Sequence, residues 1–237
     1  MALSVQTSTS AAMSEWWTYS LSSFLLFSTR TYYRLFELYN ADVWPLQIVA
    51  LALGLAILIL IWRTPAWSGR AVATILVACW LFVAWAYLLE RYDAINFAAR
   101  YFAIGFVLQA ALLAWTGVMR DRLRFDVHNV AARIGLALIV YALAIHPLIA
   151  LLTGRPWMQA EIFGLAPDPT ATATLGVLLA TDRPRWHLLV LPLLWCAISG
   201  LTLWTMESPE AAVVPVLAAL SGGLAAWKAL AHRRKTQ

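Results

Sequence analysis

From Val43 to Trp62 the chain runs twenty residues without one charged side chain, and five more stretches of similar length and character follow it. A helix of that length rises about 30 Å, the thickness of a bilayer's hydrocarbon core. The other five are Ala71 to Leu89, Ala98 to Val118, Val130 to Leu152, His187 to Thr205 and Ala211 to Leu230, and their only basic or acidic side chains are Arg100, Arg133, His146, His187 and Lys228. With 62% hydrophobic and 12% charged residues, the chain has too few charges for a soluble domain, where roughly 25% is usual. The 13 tryptophans fit a bilayer, because indole rings settle at its interfaces. The expected fold is all-α: a polytopic transmembrane helix bundle of six or seven spans over residues 43–230, with the lipid bilayer as its partner.

The net charge of +5 does not point to nucleic acid. The basic residues stand singly, apart from Arg120, Arg122 and Arg124 and the tail Arg233, Arg234 and Lys235, and they form no groove-reading stripe. Cys79 and Cys196 each lie inside an apolar run, with no spacing for a disulfide framework or a zinc site.

Residues 1–14 are rich in Ser, Thr and Ala and read as disordered, without the basic and apolar regions of a signal peptide, and Met13 is an alternative start. Residues 15–42 read as an interfacial amphipathic segment. Tyr32, Leu35, Phe36 and Tyr39 recur at helical spacing around Arg34 and Glu37, and Thr31 is placed to cap the helix. Such a helix either lies in the interface or covers the bundle mouth.

One element is too short to span. After Pro167-Asp168-Pro169 the apolar stretch Thr170 to Ala180 rises only about 17 Å, so the proline-broken helix near 167–180 is either re-entrant or a thin crossing. Asp168 or Thr170 is placed to cap it. If it crosses, the chain has seven spans, with 12 basic residues on the side of the C-terminus and 5 on the other. If it is re-entrant, six spans divide them 11 to 6. Both assignments put residues 231–237 in the cytoplasm as a basic tail of a cell-membrane protein. Small residues at Ala218, Gly222 and Ala226, Ala50 and Gly54, and Ala131 and Gly135 form ridges for close helix approach.

Ionisable groups at membrane depth need an explanation, because they are costly there. His146, beside Pro147, is a candidate for binding a proton, metal or substrate, against a bland role as a hydrogen-bonded neutral ring. Asp168 and Thr170 sit at a helix start of the kind that holds ions in transporters. Glu90, Arg91, Asp93, Asn96 and Arg100 share a side with Arg155 and Glu161 in the seven-span assignment, forming a polar pocket or a salt-bridged cap. The binding candidates are therefore His146, Asp168, Thr170, Glu90, Arg91 and Glu161. No catalytic motif, metal site or cofactor is indicated.

Two segments carry a resemblance. MSEWWTYSLSSFLLFSTRTYYRLFELYNADVWPLQ, Met13 to Gln47, and HPLIALLTGRPWMQAEIFGLAPDPT, His146 to Thr170, resemble the DUF6064 family of bacterial multi-pass membrane proteins of unknown function. The resemblance implies membrane placement and no particular activity. The family motif commonly has a cysteine between its two prolines, where this chain has Asp168, so no thiol chemistry is implied here. Three function classes stay open: a transporter or permease component for a small solute or ion, a non-catalytic scaffold or accessory subunit in a homo-oligomer or larger membrane complex, and a membrane enzyme on a lipophilic substrate.

Overall fold

The structure, a computed structural model, describes residues 27–234. The expectations for residues 1–14, for Met13, for residues 15–26 of the amphipathic segment and for the end of the tail lie outside the described residues. Within them the chain forms α1 (Thr29–Asp42), α2 (Leu46–Arg63), α3 (Ser68–Ala94), α4 (Ala99–Met119), α5 (Val130–Leu152), α6 (Pro167–Ala180), α7 (Trp186–Thr205) and α8 (Val213–Arg234), with no strand beyond an isolated bridge. Six of them, α2 to α5 with α7 and α8, are long and apolar enough to cross a membrane.

Loop contacts fix which helix ends lie together. On one face, Arg124 donates to the Ala66 carbonyl at 3.0 Å, Phe125 bridges Thr181, and the Lys228 ammonium donates to the carbonyls of Leu179 and Thr181. This tail face collects the α2–α3, α4–α5 and α6–α7 loops and the end of α8. On the other, Asn40 donates to the carbonyls of Met158 and Ala160, each at 2.8 Å, and Arg155 pairs with Glu210 at 2.6 Å. This α1 face collects α1 with the α3–α4, α5–α6 and α7–α8 loops. The chain therefore passes between the faces seven times, and α6 makes one of the passes.

α6 has 14 residues, about 21 Å of helix, and all of them are buried. Its surroundings are α3, α5, α7 and α8 rather than lipid. The closest approach is to α5, where a Cβ on Gly176 would lie 2.5 Å from the Gly135 carbonyl oxygen and one on Gly135 would lie 2.4 Å from that of Gly176. Only glycine at both positions lets the two backbones touch. Its ends are also satisfied: Pro167 and Pro169 occupy the first turn, where backbone N–H groups have no helical partner anyway, and Asp126 N–H donates to the Ala180 carbonyl at 3.0 Å. Asp168 in the first turn and Lys228 at the last complement the helix dipole.

Two sequence expectations about caps are corrected. Ser28, not Thr31, caps α1 by accepting from the Thr31 N–H at 3.2 Å. Neither Asp168 nor Thr170 caps α6; helix geometry already begins at Pro167, and Thr170 Oγ1 accepts instead from Gly164 N–H at 2.9 Å and donates to the Ala166 carbonyl at 2.7 Å. The ridges are partly relocated. Ala50, Gly54, Ala131 and Gly135 face the interior, but on α8 the buried stripe is Val214, Ala218, Ser221 and Ala225, and the close contact to that helix is Gly200 of α7 against Pro215.

α1 buries Tyr32, Tyr33, Phe36 and Tyr39 over the mouth of the bundle and turns Arg30 and Arg34 outward. Pro192 inside α7 leaves the Leu188 carbonyl without its helical donor, and the Gln109 amide of α4 supplies one at 3.0 Å. Outward-facing indoles gather at both ends. Trp44, Trp85, Trp157 and Trp204 belong to the α1 face, and Trp62, Trp67, Trp115, Trp186 and Trp227 to the tail face, as two interfacial belts require.

The α5–α6 contact makes a prediction. Gly176→Ala forces the touching backbones apart and is expected to lower stability by about 1–3 kcal/mol in thermal unfolding in detergent. Gly223→Ala, at a site with nothing within 4 Å, is the control. Equal melting temperatures for the two variants contradict the crossing.

Candidate functional site

The described polar groups of the interior concentrate beneath the α1 face, at the start of α6. His146 reaches them because α5 changes form just before it. Pro147 cannot donate to the carbonyl four residues back, and the helix widens to a π turn over Tyr141–Ile145 before tightening to a 3₁₀ turn at His146–Leu148. His146 is then buried, with Nδ1 3.3 Å from the Tyr141 hydroxyl and Nε2 3.7 Å from Glu161 Oε2.

Glu161 comes from the loop that drops back into the bundle ahead of α6. From Ala160 onward this loop is buried, and it turns at Gly164, whose φ of +76° favours glycine and whose Cβ would crowd Cys79 Sγ at 3.1 Å. Asp168 lies one turn further along. Its two oxygens accept from Trp195 Nε1 at 2.7 Å and from Ser199 Oγ at 2.6 Å, donors four residues apart on one face of α7. At 2% exposure, its carboxyl group is held by those two bonds.

A second layer covers this one. Arg155 donates to Glu210 Oε1 at 2.6 Å, and its guanidinium lies 3.8 Å above the Tyr33 ring. The Tyr33 hydroxyl donates to the same Glu210 oxygen at 2.8 Å and is 2.6 Å from Ser208 Oγ. Burial pushes the Tyr33 phenol well above its ordinary pKa, which keeps it a donor. Between the layers is a cavity of about 10 Å³, room for about one water, lined by His146, Glu161 and Asp168 below and Arg155 and Glu210 above. Glu161 Oε2 and Glu210 Oε2 are buried there without a hydrogen-bond partner.

Of the residues singled out from sequence, His146, Asp168 and Glu161 meet at this cavity. Thr170 does not; its hydroxyl is used up within the turn before α6. Glu90 and Arg91 lie elsewhere, along an open groove between α1 and the α3–α4 turn that Arg30, Arg34 and Glu37 also line, and Arg91 pairs with Asp42 at 2.7 Å. Sequence reasoning missed Glu210, Tyr33, Trp195 and Ser199. Trp195 and Ser199 had a faint signal, polar atoms one helical turn apart on an apolar span. Glu210 had none, since nothing in Ser208-Pro209-Glu210 says that the acid turns inward. Among the described residues, no group of three or more His, Cys, Asp or Glu has metal-holding geometry.

A model of a family of unknown function, DUF6064, matches residues 29–236. No curated protein and no solved structure matches the chain.

The cover layer gives a test. Side-chain exposures of 13% and 10% make Arg155 and Glu210 a buried pair, so Arg155→Ala is expected to cost about 3–5 kcal/mol by stranding the carboxylate. Adding Glu210→Gln is expected to recover part of the loss. A melting-temperature change no larger than that of Arg100→Ala, which breaks an exposed pair with Asp93, contradicts the layer.

Proposed function

The chain belongs to the DUF6064 family of unknown function, and we propose that it is a small-solute or ion transporter component whose binding centre is the cavity between His146, Glu161 and Asp168. One observation carries the reading. One buried carboxyl oxygen, Glu161 Oε2, has no hydrogen-bond partner among the described residues and faces a water-sized cavity at the start of a broken crossing. A bundle selected only for stability has no reason to hold such a group, because a polar atom buried without a partner is unfavourable. Interrupted helices that end at membrane depth supply ion sites in transporters, and the proline-led, buried start of α6 supports the comparison. The greater number of basic residues on the tail face supports a cytoplasmic C-terminus, so the cavity lies nearer the outer surface.

A second reading, an accessory subunit, draws on Asp168, whose oxygens are both satisfied as in a purely structural anchor. The enzyme reading fits less well, because about 10 Å³ beside His146 leaves no room for a lipophilic substrate. The test is flux in reconstituted vesicles, read with an entrapped pH dye under an imposed potential and with labelled alkali cations. The wild type is expected to exceed protein-free vesicles, and His146→Ala and Asp168→Asn to fall to their level while remaining folded. Wild-type rates equal to protein-free vesicles, or unchanged rates in both variants, contradict the proposal.

A further inference from the structure

Resting on that reading of the cavity, we propose that its ligand is a proton, resident on Glu161 at neutral pH and exchangeable with His146. It lowers the uncompensated negative charge at the cavity from two to one. Arg155 and Glu210 neutralise each other at 2.6 Å. What remains is Glu161 and Asp168 facing a single imidazole, 8%, 2% and 6% exposed. Two bare carboxylates beside a neutral ring would leave two uncompensated negative charges in an interior that solvates them poorly. A bound proton removes one.

The hydrogen bonds decide which group carries it. Asp168 receives an indole N–H and a hydroxyl, the surroundings of a carboxylate. Among the described residues Glu161 receives no hydrogen bond, and its Oε2 is buried at the cavity wall, the surroundings of a neutral acid. His146 Nε2 at 3.7 Å is too far for a direct hydrogen bond, and the cavity has the size of the one water that would bridge them. In the exchange, Glu161 O–H gives its proton to that water as the water gives one to Nε2, leaving a carboxylate and an imidazolium with total charge unchanged. The Tyr141 hydroxyl at Nδ1 orients the ring from the same helix. From α1 and α3 the phenols of Tyr32, Tyr87 and Tyr92 line a neighbouring cavity that Ser199 shares, and Arg155 and Glu210 close the set from the loops. A metal cation is disfavoured by the fixed guanidinium across the cavity and by the lack of metal-holding geometry among the described residues.

The experiment is infrared spectroscopy of the full chain in liposomes at neutral pH, reading the carbonyl stretch of a protonated carboxyl and its shift on deuteration. The wild type is expected to show this band, Asp168→Asn to keep it, and Glu161→Gln to lose it while keeping the wild-type melting temperature, since the amide mimics the neutral acid. Absence of the band from the wild type overturns the proposal whatever the variants do. So does its survival in Glu161→Gln, which assigns the proton to another acid. The band is read without any transport, so a proton on Glu161 in a protein that carries no flux would sink the transporter reading alone.

Discussion

An apolar solvent offers no hydrogen bonds, so every backbone amide that enters it must be satisfied by protein. α6 is where this constraint presses hardest. At about 21 Å it falls short of a bilayer core, and the chain that leads into it is a buried turn rather than helix. Such a segment persists only if other helices keep lipid away from it. The surrounding bundle does so, and the mutual contact of Gly135 and Gly176 shows how closely it must fit.

The polar centre follows from that arrangement. Because the chain breaks before α6 instead of entering as helix, Glu161 is brought inside from a loop and Asp168 from a first turn. His146 meets them through a second backbone irregularity, the widened turn ahead of Pro147. Arg155, Glu210 and Tyr33 then separate the cavity from the α1 face. The result is an acid–imidazole pair buried behind an arginine–glutamate cover.

Much of the fold was legible in the sequence, because span length and apolar content are set by the bilayer and are read along one dimension. Val43 to Trp62 and Leu46–Arg63 describe the same helix, and the indoles of Trp44 and Trp62 do face outward at opposite ends. The short element was also visible from Pro167 and Pro169, but its direction of travel was not, since composition cannot separate a re-entrant turn from a shielded crossing. Half of the candidate site was legible for a similar reason: His146 and Asp168 are conspicuous against apolar neighbours. Glu90, Arg91, Glu161 and Glu210 look alike as loop charges, and only three-dimensional contacts divide the two acids that turn inward from the pair that stays at the groove.

The central claim is that α6 crosses the bundle. The most direct test is the sidedness of a short accessibility tag inserted after Gly154, where the chain has open space around it, compared with a tag at the C-terminus. Seven passes place the two tags on opposite sides of the membrane. Finding both on the same side would make α6 re-entrant and contradict the account.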